Sequence, residues 1–134
     1  LYMAKTIDYK FGHQLESELF SLFCEKFDAE LKMQPKYNVF DYASDKTLVE
    51  LKSRRCRHNT YPTTMIGANK FEKLVTDNRD AYFVFSFTDG IYYWKYDKEQ
   101  VNQFELQNCG RYDRGRPEIK PHYLIPINNL EKLI

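Results

Sequence analysis

The stretch Tyr37-Asn38-Val39-Phe40-Asp41-Tyr42-Ala43-Ser44-Asp45-Lys46-Thr47-Leu48-Val49-Glu50-Leu51-Lys52-Ser53 decides how the chain is read. Tyr37 to Tyr42 and Thr47 to Lys52 are rich in β-forming residues, and the polar Ala43-Ser44-Asp45-Lys46 between them reads as a turn, so the pattern predicts a hairpin. Side chains alternate along a strand, which puts Leu48, Glu50 and Lys52 on one face and Val49 and Leu51 on the other. Turn length then decides whether Asp41 meets Glu50. A two-residue turn at Asp45-Lys46 sets them directly opposite, and a four-residue turn at Ala43 to Lys46 makes them diagonal neighbours. Both place the two carboxylates on one face, roughly 5 to 8 Å apart at Cβ; an odd loop would part them. Two carboxylates that close repel unless a cation lies between them, and a hard divalent ion such as Mg²⁺ prefers oxygen ligands. Lys52 would stand beside such an ion, placed to orient or activate a water. Two other E-x-K triplets lack this setting. Glu30-Leu31-Lys32 ends a helical pattern, and Glu118-Ile119-Lys120 lies before Pro121, where no regular strand is expected.

Upstream, Leu15, Leu19, Phe20, Leu22, Phe23, Phe27 and Leu31 recur at helical spacing and predict an amphipathic helix from about His13 to Leu31. Glu16 falls within about 40° of Phe20, Phe23 and Phe27 on the helical wheel, inside the apolar stripe. A carboxylate there is costly unless paired or bound to metal, or else it caps the helix start and reaches water. Downstream, Pro62-Thr63-Thr64 offers helix-start chemistry before Ile66, Phe71, Leu74 and Val75. Ala81 to Phe87 and Ile91 to Tyr96 flank Asp89-Gly90, a hairpin signal resting on the positive φ that Gly tolerates. Residues 97–121 read as polar and irregular, Tyr123 to Ile127 as a last short strand limited by Pro126, and Leu130 with Leu133 as a terminal helical turn.

Composition sets the outer limits. The chain has 134 residues with charges nearly cancelling, 20 basic against 19 acidic, and 22 aromatic residues, which excludes a disordered tail and fits one domain over residues 1–134. Apolar runs are too short for a membrane span, no signal peptide is visible, and the cysteines (Cys24, Cys56, Cys109) are odd in number and scattered. That usage excludes a disulfide scaffold or cysteine-rich zinc site and points to a cytoplasmic protein. Charge is uneven locally. From Leu51 to Phe71 there is no acid, while Lys52, Arg54, Arg55, Arg57 and Lys70 give +5. Such a stretch beside carboxylates either gathers a polyanion or is a solvated loop. The aromatic residues between Tyr82 and Tyr96 read as core packing rather than a base-stacking platform. His58 and His122 have no partner at ligand spacing and read as structural.

These residues together resemble the PD-(D/E)XK nuclease superfamily, and within it the archaeal-type Holliday junction resolvases and their phage and viral relatives. The matching pattern runs Gly12-x-x-x-Glu16 on a first helix, Asp41 on a strand, and Glu50-Leu51-Lys52-Ser53 on the next, with Phe40 where the family's name has proline. The resemblance implies an α/β (α+β) restriction-endonuclease-like or resolvase-like core, a central mixed sheet of about five strands flanked by helices. It also implies a Mg²⁺-dependent endodeoxyribonuclease, with Mn²⁺ as substitute, acting on DNA as a homodimer. Asp41, Glu50, the Leu51 carbonyl and Glu16 would hold the metal, Lys52 would assist the attacking water, and Arg54, Arg55, Arg57 and Lys70 would meet phosphates. A sequence-specific restriction or homing enzyme, or a non-cleaving DNA-binding module on the same scaffold, are the alternatives.

Overall fold

The computed structural model describes residues 17–111 and 118–134. The first helix, α1, occupies residues 17–26 of the described chain and stops where the Phe27 N–H closes on the Phe23 carbonyl at 2.9 Å. Asp28, just beyond it, accepts from Ser44 Oγ at 2.5 Å and Thr47 Oγ1 at 2.9 Å. These bonds tie the helix end to the turn at Asp45-Lys46, which the Ser44 N–H closes onto the Thr47 carbonyl. After short β1 (Lys32–Met33), β2 is only Tyr42–Ala43, followed by β3 (Thr47–Ser53). The expected first strand from Tyr37 is therefore largely a turn, and Tyr37 itself is solvent-exposed. Tyr42 pairs with Val49 and Ala43 with Leu48, which is the register of the two-residue turn.

Next come β4 (Thr63–Gly67), α2 (Ala68–Leu74), β5 (Asp80–Phe87) and β6 (Gly90–Lys95). The helix expected from Pro62 begins only at Ala68, because Thr63 to Gly67 join a second sheet as a strand. The β5–β6 hairpin lies where the sequence puts it, but its loop is Thr88-Asp89, with Phe87 paired to Gly90. The φ of Gly90 lies outside the left-handed region. Gly serves there by leaving room: a Cβ would come 3.3 Å from the Ile134 carbonyl oxygen.

Residues 97–121, expected to be irregular, carry α3 (Lys98–Val101), β7 (Glu105–Arg111) and the start of β8 (Glu118–Pro126). Pro121 is tolerated because β4 reaches only from residue 122 to 126 of β8, leaving an edge at Pro121. A short 3₁₀ turn (Ile127–Asn129) and β9 (Glu131–Lys132) close the chain where a helical turn was expected.

The central sheet has six strands in the order β1-β2-β3-β5-β6-β9, with β3 and β5 parallel and the other pairs antiparallel. A parallel pair needs a crossover, and β4 with α2 supplies it. The two faces of β3 enter different cores. Val49 packs with Leu19 and Phe23 of α1, while Leu48 packs with Phe71 and Leu74 of α2. This is the mixed α/β core with a helix on each face that the family pattern implies, with six strands in place of about five. The other three strands form an antiparallel sheet in the order β4-β8-β7. Phe71 joins the two sheets, its ring 5.4 Å from Phe83, 5.5 Å from Trp94 and 5.1 Å from Tyr123. The aromatic residues of β5 and β6 are thus largely spent on packing.

Candidate active site

Glu50 sits in the middle of β3 on the α2 face and is 4% exposed, an unusual place for a carboxylate. Asp41 lies one position before β2, opposite Glu50 by continuation of the register. Its Oδ2 accepts the Leu51 N–H at 2.7 Å, so the side chain takes the backbone partner's place where β2 has not yet begun. A strand residue directs its N–H and C=O to the same edge, so the Leu51 carbonyl also faces the Asp41 side. The Leu51 side chain packs on the opposite face, against the α1 core.

Burial, then the hydrogen bond and charge of Asp41, push the Glu50 carboxyl up to about 7, with Lys70 and Lys52 pulling the other way. Lys70 Nζ lies 2.5 Å from Glu50 Oε2 as an ion pair. Oε2 is fully buried, and the Lys70 ammonium is the cation set against it. Lys70 also donates to the Val39 carbonyl. Lys70, expected from the sequence to meet phosphate, has its ammonium turned inward onto Glu50 in the structure.

Lys52 shares the Glu50 face about 7 Å further along the strand, and among the described residues no acid or carbonyl holds its ammonium. It opens on a cleft of about 550 Å³ that is also lined by Arg54, Gly67, Lys120 and His122 and, among the described residues, by no acid. The strands β7 and β8 form the far wall. In the sequence the Lys120 triplet is set aside because of Pro121, and His122 reads as structural for want of a partner at ligand spacing; the spacing of two between them was the available signal. Arg54 is partly committed inside the fold, donating to the Met65 carbonyl at 2.7 Å and to Thr64 Oγ1 at 3.3 Å. Arg54 and Met65 also line a neighbouring cleft of about 400 Å³ that holds Arg57, His58 and Tyr61. Arg55 and Arg57 are exposed. His58 is stacked on Tyr92 and paired with Asp89 at 2.6 Å, the structural role expected of it.

Among the described residues no three of His, Cys, Asp and Glu converge. Asp41 and Glu50 are a pair, and Glu16, the third expected acid, lies outside the described residues. Residues 5–133 match the model of the family described as "Phage putative PDDEXK endonuclease". The chain belongs to this family. In the PDDEXK name an acid is followed by an acid-x-Lys triplet, and the sequence carries Asp41 and then Glu50-Leu51-Lys52 in that order. The family is thus one of nucleases. No curated protein and no solved structure matches it. No described helix is long and apolar enough to cross a membrane.

Proposed function

We propose that the chain is a metal-dependent endonuclease that hydrolyses DNA phosphodiester bonds and selects its DNA by shape. The observation that carries this reading is Glu50: a buried carboxylate opposite Asp41, with a cation already drawn to its inner oxygen. That arrangement fits a divalent cation, since two close carboxylates and a backbone carbonyl are the hard oxygen donors Mg²⁺ favours. Asp41, Glu50 and the Leu51 carbonyl would hold it, with Glu16 joining them from the first helix as the family resemblance implies. Bound there, Mg²⁺ or its substitute Mn²⁺ would polarise a phosphoryl oxygen and lower the pKa of water toward neutrality.

The protein's own groups do the rest. Asp41 is anchored by the Leu51 N–H, so the acid pair is preorganised before substrate arrives. Lys52 brings its ammonium to the cleft, where it orients a water and offsets the negative charge that grows on the phosphoryl oxygens. Arg54, Arg57, Lys120 and His122 are disposed along the two adjoining clefts to meet neighbouring phosphates, and Arg55 lies beside them in the chain. Phosphate contacts position a duplex without reading its sequence, which supports selection by shape, as the resemblance to the resolvases implies. The test is incubation with supercoiled, linear, single-stranded and four-way-junction DNA in Mg²⁺, Mn²⁺ or EDTA. Cleavage confined to metal, with the junction preferred, is expected. Undiminished cutting in EDTA, or cutting restricted to one short sequence, would overturn it.

A further inference from the structure

The cation closest to the acid pair is supplied by the protein. Lys70, on α2, has its Nζ 2.5 Å from Glu50 Oε2, donates to the Val39 carbonyl, and lies 5.7 Å from the centroid of the Phe40 ring. Glu50 is on β3; Val39 and Phe40 lead directly into Asp41. One ammonium therefore gathers both arms of the pair. Only 19% of its side chain is exposed, and a strongly hydrated lysine charge seldom gives up water without a partner. Lys52, two residues along from Glu50, has no such partner among the described residues and faces the cleft.

A Mg²⁺ ligated by Glu50 would stand about 2.0–2.1 Å from a carboxylate oxygen, closer than the ammonium now does. Two cations held that near one carboxylate repel strongly in a buried setting. We infer that Lys70 is a resident counter-ion that occupies the cation position of the Asp41–Glu50 pair and is expelled when a divalent metal binds. The inference rests on the metal reading given above. It gives the buried Glu50 carboxylate a charge partner in the metal-free protein and sets metal affinity by competition. It also gives the displaced side chain a destination. Gly67, three residues earlier at the same end of α2, already lines the basic cleft, and a four-carbon stem can carry the ammonium there, toward phosphate.

The test measures Mn²⁺ binding by calorimetry at pH 8.0 on the parent, Lys70→Met, Lys70→Arg and Asp41→Ala, with no DNA present. Removing one like charge from the site should tighten Mn²⁺ binding in Lys70→Met by at least about tenfold, while Lys70→Arg stays near the parent. On the parent alone, reductive methylation read by mass spectrometry should show Lys70 becoming several-fold more reactive when Mn²⁺ is added, with exposed Lys98 as the internal reference. This second measurement decides the matter if Lys70→Met fails to fold. Affinity unchanged or weakened in Lys70→Met, or labelling of Lys70 that does not rise, overturns the inference. If Asp41→Ala then still abolishes Mn²⁺ binding, the metal reading stands without it; if the parent binds no Mn²⁺, both fall.

Discussion

Glu50→Gln should make the metal-free protein more stable at pH 8 and nearly unchanged at pH 5. Burial and the Asp41 carboxylate raise the Glu50 carboxyl from its ordinary 4.5 to about 7. Between those two values the folded protein holds a proton that the unfolded chain releases. Stability from this group is therefore present below about pH 4.5, declines as pH rises, and is fully lost above about 7. At 1.36 kcal/mol per pKa unit the whole window is worth about 3 kcal/mol, most of it between pH 5 and 8. Gln keeps an oxygen for Lys70 but carries no charge to desolvate, so its stability should lack this slope. Urea unfolding in EDTA at both pH values measures the gap directly. Saturating Mn²⁺ should then restore the parent at pH 8, by about 2.7 kcal/mol at a hundredfold excess over Kd, and leave the variant behind. A gap of equal size at pH 5 and pH 8, or a variant that is the less stable at pH 8, would refute the reasoning.

Asp41→Ala should abolish nicking while DNA affinity without metal, read by gel shift, is retained or improved, at a cost of about 1 kcal/mol for the Leu51 N–H left without its acceptor. Lys52→Ala should lose cleavage in single-turnover assays and only a little affinity, lowering the log–log salt slope by about 0.9. Replacing Arg54, Arg55 and Arg57 together should weaken binding on every DNA tested and flatten the salt dependence. Arg54→Ala alone should also lower stability in urea by about 1–3 kcal/mol, since Thr64 and the Met65 carbonyl lose their donor. Phe71→Ala should cost about 3–5 kcal/mol in the same assay, because one ring closes both sheets onto α2.

The register of the acid pair was legible in the sequence because strand alternation has a period of two and any even turn preserves it. The β5–β6 hairpin was legible for a similar local reason, although its glycine serves by yielding space to the C-terminus and not through its φ. The second sheet was not. Thr63-Thr64-Met65-Ile66 follows a proline and mimics a helix start, and only pairing with β8, some sixty residues later, makes it a strand. β7 carries Leu106 and Cys109 as its sole apolar side chains, too few to show a period. Lys120 and His122 were hidden with it. Lys70 was visible as a cation, but no linear pattern could say that a helix in the crossover would aim it back at Glu50.

The chain passes between the two sheets four times: from β3 to β4, through α2 to β5, through α3 to β7, and from β8 to β9. With Phe71 wedged against Phe83, Trp94 and Tyr123, no single peptide segment can act as a hinge for the β4-β8-β7 wall. The wall is accordingly tied to the floor by four chain crossings and one shared aromatic cluster. On the function proposed above, a nucleic acid entering the gap would supply the bending or unstacking that brings a phosphate down to Lys52. The energy of that distortion depends on the DNA and is lowest where a helix is already interrupted.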